Sequence, residues 1–176
     1  TIPRYSERTL LMKQKHTAKV LSQREIAPDI FDMWIETPLA ADAKPGQFLG
    51  VYPRDKSTLL PRPISICETD AARSALRVVY RVAGAGTREF SDYSQVDAIS
   101  LLGNLGNGFP LEQGAGKKAF LMGGGIGVPP ILELARRLEA EKQIVVGYRD
   151  GNLFLKEDLE RYGRIYVATE DGSAGT

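Results

Sequence analysis

The chain has 176 residues, enough to bury one substantial core or two small ones. It is 43% hydrophobic and 26% charged, as globular proteins are, and 23 basic residues against 22 acidic ones leave a net charge of +1, with no electrostatic footprint for nucleic acid or an anionic membrane. Glycine or proline interrupts the longest apolar runs short of the roughly 20 residues of a membrane-spanning helix, and one cysteine with one histidine excludes disulfide frameworks and cysteine–histidine metal clusters within the chain.

The opening "TIPRYSERTLLMKQKH" has neither the apolar core nor the cleavage site of a signal peptide, so residues 1–14 read as a polar extension, with Met12 a potential natural start. The expected location is the cytoplasm. Any redox chemistry has to come from a bound organic cofactor or from a segment outside these residues.

From about residue 16 to 112 the chain reads as short strands. "HTAKVLSQREI", "FDMWIETP", "GQFLGVYP", "RPISICET" and "ALRVVYRVAG" carry β-branched or aromatic residues in partial alternation between Pro, Gly and Asp clusters, which predicts an antiparallel barrel or sandwich. Within it, "RPIS" places the cation of Arg62 three residues from the hydroxyl of Ser65. "VYRVAGAGTREF" adds Tyr80, Arg81 and a glycine turn leading through Thr87 into a helix. Arginine offers a fork of donors to a pyrophosphate and Thr87 suits a helix cap; equally, Arg62 and Arg81 read as solvated strand residues, and Gly84 and Gly86 as a plain turn. Trp34 reads as barrel core, His16 as a surface residue and Cys67 as a small, partly buried one. "LGNLGNGFP" reads as a closing loop.

After the linker "EQGAGKK" the rhythm changes. "AFLM" is a short strand, residues 129–142 place Ile131, Leu134, Ala135 and Leu138 at helical spacing, and Pro129 and Pro130 suit a first helical turn. "QIVVGY", an amphipathic stretch near 153–162 and "RIYVAT" complete a β-α-β-α-β succession, which calls for a parallel sheet. Three such strands make about half of a dinucleotide-binding sheet, so further residues are expected beyond Thr176. Between the first strand and its helix lies "GGGIGVPP". It has the position of a phosphate loop but not the full G-x-G-x-x-G pattern, since Val128 stands where the last glycine belongs. Spacing alone leaves a phosphate loop and a packing turn both open. "GAGKKA" is no Walker loop, because Lys118 occupies the hydroxyl position.

In this order, "RPIS", "VYR", "GAGT", "LGNLGNGFPL", "MGGGIGVPPILELARRL" and "ATEDGSAGT" make the chain resemble the electron-transfer subunits of dihydroorotate dehydrogenase B, a family of ferredoxin reductase-like flavoproteins, from about Lys15 onward. The resemblance implies an antiparallel, flavin-binding β-barrel over residues 15–113, followed by an incomplete α/β Rossmann-like nucleotide-binding domain over 117–176. It implies that Arg62 reaches the FAD pyrophosphate and that Pro63, Ile64 and Ser65 line the isoalloxazine edge. Val79, Tyr80 and Arg81 match the second flavin segment, and Gly86 with Thr87 the third. Gly123, Gly124, Gly125, Ile126 and Gly127 would border the nicotinamide nucleotide. Asp171, with Glu170 beside it after the third strand, would repel a 2′-phosphate and favour NAD.

No side chain is expected to do the chemistry itself, since the cofactors carry it. In such proteins NADH exchanges a hydride with the flavin, whose electrons cross a [2Fe-2S] cluster to an FMN-containing catalytic subunit, linking dihydroorotate oxidation to NAD reduction in pyrimidine biosynthesis. Here the sequence departs from the family. The cluster needs four cysteine thiolates and the chain holds only Cys67, so a truncated form with weak or no NADH oxidation is expected. Two other readings stand beside this one: the related subunit of an NADPH-ferredoxin oxidoreductase or sulfide dehydrogenase, and a flavin-binding module without turnover.

Overall fold

A computed structural model describes residues 14–55 and 59–175, so all but the last residue of the expected N-terminal extension lies outside the described residues. Six antiparallel strands, β1 (His16–Ala27), β2 (Ile30–Glu36), β3 (Phe48–Tyr52), β4 (Arg62–Asp70), β5 (Ala75–Arg81) and β6 (Ala98–Leu105), close into a barrel in the order β1-β2-β5-β4-β3-β6. Alternate residues turn inward: Ala18 and Val20, Met33 and Ile35, Ile64 and Ile66, Leu76 and Val78, Ile99 and Leu101 fill the core. Each fully enclosed side chain of this size stabilises by about 1.5–3 kcal/mol. Helix α1 (Ala85–Ser91) sends Phe90 into the same core. Strand β6 runs on to Leu105, so "LGNL" belongs to the barrel wall and not to the closing loop expected there.

The second layer is a three-stranded parallel sheet in the order β7-β8-β9, built from β7 (Lys118–Gly124), β8 (Glu141–Tyr148) and β9 (Arg164–Thr169). Helix α2 (Pro129–Arg137) follows β7 with Pro129 and Pro130 in its first turn, where a missing N–H costs nothing. It stops at Arg137, short of the expected residue 142. Leu138 turns extended, and the Lys142 ammonium donates to the carbonyls of Leu138 (2.9 Å) and Ala140 (3.1 Å) that the helix end leaves open. Helix α3 keeps only Lys156–Glu160 of the expected 153–162 because Leu155 sits at φ +62°, outside helical geometry.

Helix α2 packs across the back of β4 and β5. Ile30, Cys67 and Val79 of the barrel share one apolar cluster with Val128, Ile131, Leu132, Leu134 and Ala135 of the second layer. Six of the seven residues of β5 are buried, with Leu76, Val78 and Tyr80 in the barrel core and Val79 in the seam. Cys67 is completely enclosed, and burial pushes its thiol pKa well above the ordinary value. The opposite face of the parallel sheet is bare: Phe120 is 67% and Met122 68% exposed, with Tyr166 beside them at 40%.

The charged centre of the seam is Arg77, 6% exposed. Its guanidinium grips both oxygens of Asp32 at 2.9 Å and reaches Glu68 and, across the seam, Asp158 of α3, each at 3.1 Å. Trp34 is not core, contrary to expectation. Its half-buried ring lies outside the barrel with the Arg73 and Arg77 guanidinium groups 5.9 Å from its centroid. His16 also differs from the surface placement expected, because it is half-buried with Nε2 3.1 Å from the Thr37 hydroxyl.

Removing one partner of a buried ion pair strands the other charge, so Asp32→Ala is expected to cost about 3 kcal/mol or more in urea unfolding. Removing Arg24, the 72% exposed second partner of Asp32, is expected to cost under about 0.5 kcal/mol. Burial also lowers the pKa of His16, with a hydrogen bond at the Gln14 backbone opposing it. The unfolded chain then binds this proton more readily, and the stability held by the neutral ring is complete above about pH 6.5 and lost as pH falls through that value. The urea midpoint should fall as pH drops below about 6.5, and His16→Gln should remove that part of the slope.

Candidate functional site: two clefts that meet at Arg81

The β4–β5 ladder runs from Asp70 opposite Ala75 to Ile66 opposite Val78. No pairing continues it among the described residues, although Arg62–Ser65 stay paired to β3 and Val79–Arg81 to β2. The ladder is thus open at this end, and this opening leaves the backbone edges of "RPIS" and "VYR" unpaired with each other. Backbone groups of this kind require a partner.

The side chains around the opening have separate tasks. Pro63 is exposed and Ser65 half-buried, both on the outer face, while Ile64 points into the barrel core. Arg62 donates to the Leu60 carbonyl at 2.8 Å and lies against the start of α1, so closely that a Cβ on Gly86 would stand 2.8 Å from its Nε. The Thr87 hydroxyl closes the turn before α1, accepting from the N–H groups of Ala83 (2.9 Å) and Gly84 (3.2 Å). Val79 is sealed in the seam and Tyr80 in the barrel, so neither side chain reaches the opening. The Tyr80 ring stacks on Phe31 at 5.8 Å and meets Phe90 edge-on, and burial raises the pKa of its hydroxyl. That hydroxyl donates to Gln23 Oε1 at 2.8 Å, and Gln23 Nε2 in turn donates to the carbonyls of Phe90, Ser91 and Tyr93 at the end of α1. Gln23 was not singled out from the sequence, because its partners lie some 70 positions away.

Arg81 turns outward from the same strand and carries the opening into a second cleft. This one, of ≈ 690 Å³, sits at the carboxyl ends of β7, β8 and β9 and is lined by Gly124, Gly125 and Ile126, by Gly147 to Arg149, and by Ala168 to Glu170. A smaller cavity of ≈ 210 Å³ adjoins it under the β1–β2 turn and shares Arg81, Gly125, Tyr148 and Arg149. The Tyr148 hydroxyl donates to the Phe154 carbonyl at 2.9 Å, and burial pushes its pKa up to about 12.

The glycines of the loop divide the work. Gly123 is there for packing: a Cβ would fall 2.9 Å from the Gly127 carbonyl oxygen and from Ile131. Gly125 takes φ +51°, which costs other residues strain. Gly124 and Gly127 face open space, with nothing within 4 Å of a Cβ built on either. Of the two acidic residues, Glu170 lines the cleft, whereas Asp171 is turned away. Its carboxylate accepts from the Ser173 N–H at 2.9 Å, and the bonds to Ser173 hold its pKa below the ordinary range.

Strand β4 and the helix that follows the glycine loop are joined by Glu133, which the sequence does not single out. It is completely buried, and its two oxygens accept from the Thr69 hydroxyl (2.8 Å) and the Thr69 N–H (3.2 Å). Arg136, itself exposed, donates to both oxygens and to the Thr69 carbonyl. Among the described residues no helix is long and apolar enough to cross a membrane, and no group of three or more His, Cys, Asp or Glu could hold a metal ion.

No family model matches the chain. Over 164 residues it is 42% identical to the dihydroorotate dehydrogenase B (NAD(+)) electron transfer subunit of Listeria monocytogenes serotype 4a, and over 169 residues 41% identical to that of Streptococcus pneumoniae. These matches take in 90% and 93% of the chain but 64% and 66% of the relatives, so the chain spans just under two thirds of their length. Among solved structures, an NADH-dependent reduced ferredoxin-NADP oxidoreductase superposes with a TM-score of 0.82 at 28% identity, over 90% of this chain and 58% of that one. A ferredoxin NADP+ reductase from Neisseria gonorrhoeae, solved with bound FAD and NADP, superposes at 0.70 and 22% identity over 92% and 70% of the two chains, a likeness of fold. By sequence and by architecture, the chain is a homologue of the dihydroorotate dehydrogenase B electron transfer subunits and has the ferredoxin reductase-like fold.

Proposed function

We propose that this chain is the FAD- and NAD-binding part of an electron-transfer subunit that passes electrons between NAD(H) and FAD. With an FMN-containing catalytic subunit as partner, it would link dihydroorotate oxidation to NAD reduction in pyrimidine biosynthesis. The observation that carries this reading is the meeting of two unlike openings, a parted strand pair and a bare glycine loop, at one cation, Arg81.

The residues present fit both cofactors. The backbone edges of Arg62–Ser65 and Val79–Arg81 on the side where β4 and β5 no longer pair suit the polar edge of an isoalloxazine ring, and Arg62 beside Gly86 suits a pyrophosphate. Val79 and Tyr80 would contribute backbone contacts, while Tyr80 braces α1 through Gln23. FAD, when bound, supplies hydride exchange and one-electron steps. The open sides of Gly124 and Gly127 leave room for a dinucleotide at the carboxyl ends of parallel strands. Glu170 would accept from an adenosine ribose and repel a 2′-phosphate, which selects NAD over NADP. A [2Fe-2S] cluster does not fit, since the single cysteine is sealed in the seam, and no step is derived through one. Turnover by this chain alone is accordingly expected to be weak or absent.

A second reading, the subunit of a ferredoxin-linked oxidoreductase, is favoured by the 28% identical neighbour. Nucleotide titration tests the choice of NAD: NADH, and not NADPH, is expected to perturb the flavin spectrum.

The purified chain should be yellow and hold stoichiometric FAD, and Arg62→Ala should weaken FAD binding by about tenfold, the loss of one charge-assisted contact. Colourless protein that takes up no added FAD would sink the reading. Gly124 offers a second check, because its φ of −129° suits any residue. Gly124→Val should leave the urea midpoint unchanged while weakening NADH binding at least about tenfold, whereas Gly123→Ala should destabilise the fold itself by about 1–3 kcal/mol.

A further inference from the structure

Packing holds α2 against β4, but packing has no direction. An apolar seam resists separation far more than it resists sliding or rotation. The glycine loop sits at the head of α2 and "RPIS" at the head of β4, so the separation of the two openings depends on the register between this helix and this strand. Hydride transfer demands that the two reacting atoms approach to within about 3–3.5 Å, a tolerance that sliding would breach.

We propose that Glu133, acting through Thr69 and Arg136, is a positioning residue that fixes the glycine loop at its working distance from the flavin strand. This rests on the FAD- and NAD-binding reading given above. Thr69 lies on β4 four positions past Ser65, and Glu133 lies on α2 six positions past Gly127. Strand β3 pairs with β4 only as far as Ser65, with one more backbone bond from Ile66 to Gln47. Beyond that point this edge of β4 has lost its strand neighbour, and the N–H of Thr69 goes to Glu133. The bonds form a closed ring: N–H and hydroxyl of Thr69 to the carboxylate, carboxylate to the Arg136 guanidinium, guanidinium back to the Thr69 carbonyl and hydroxyl oxygens. A slide of the helix by one residue would break every one of them and strand the fully buried Glu133 carboxylate. One register is therefore far below its neighbours in energy. The β-bulge between Ile66 and Glu68 lies between the ring and "RPIS", so the strand's aim is set at the same place.

The test uses Thr69→Val, which keeps shape and backbone N–H but deletes the hydroxyl, with Thr69→Ser as the conservative rescue and Glu133→Gln as the charge deletion. Amide hydrogen exchange on the protein without nucleotide is expected to accelerate about tenfold at residues 123–127 in Thr69→Val and Glu133→Gln, with β1 and β2 unchanged and Thr69→Ser like the unaltered chain. In FAD-loaded protein mixed rapidly with NADH, flavin reduction should slow by up to about 100-fold while half-saturation by NADH stays within about threefold. Unchanged exchange at 123–127, or acceleration spread evenly over the barrel, overturns the proposal, as does weakened NADH saturation with an unchanged limiting rate. Failure to take up FAD sinks the functional reading and not this one; if FAD binds but NADH does not reduce it in the unaltered chain, the exchange data alone decide the role of Glu133.

Discussion

Strand β5 has no solvent face over most of its length, β4 is covered on both sides around Ile66 and Cys67, and this constraint governs the molecule. Their inner residues, Ile64, Ile66, Leu76 and Val78, complete the barrel, while Cys67 and Val79 on the outer side form the floor on which α2 rests. A strand pair buried on both faces is seldom free to open along its length. It opens only at one end, past Ile66 and Val78, where the barrel has no further use for the ladder and the two halves of the candidate site begin.

Charge in the seam follows from the same constraint. Arg77 and Glu133 are enclosed by both layers, and each is surrounded by groups that satisfy it. The cost of taking such ions out of water offsets most of their attraction, so they add little net adhesion. What they contribute is discrimination among near-equivalent packings, which Leu, Ile and Val cannot provide. The apolar cluster decides that the layers associate, and the ions decide how.

Much of this was legible in the residues. Alternation within "HTAKV" and "SALRVVY", the break at "GGGIGVPP" and the double proline each act over a few positions, and each stands in the structure where its pattern indicates. What could not be read depends on distant partners. The end of α2 at Arg137 turns on Lys142 capping, Trp34 leaves the core because two arginines take its outer face, and Gln23 earns its place only beside Phe90 and Tyr93. Glu133 falls on the apolar stripe of α2, where a carboxylate looks like an interruption of the pattern until Thr69 comes to meet it. Likewise Glu170 and Asp171 are adjacent carboxylates in the sequence, and only the turn at Ser173 assigns one to the cleft and the other to the backbone.

The single cysteine lies at the centre of that seam, enclosed between β4, β5 and α2, with burial holding its thiol in the protonated, unreactive form. A thiol reagent can reach it only when the two layers separate. The rate of modification of Cys67 is therefore a clock for a single event, seam opening, and it needs no introduced label. Layers that part well below the free energy of global unfolding would be a sub-global unit of their own, and a thiol that reacts only at the unfolding limit would mark barrel and sheet as one cooperative body.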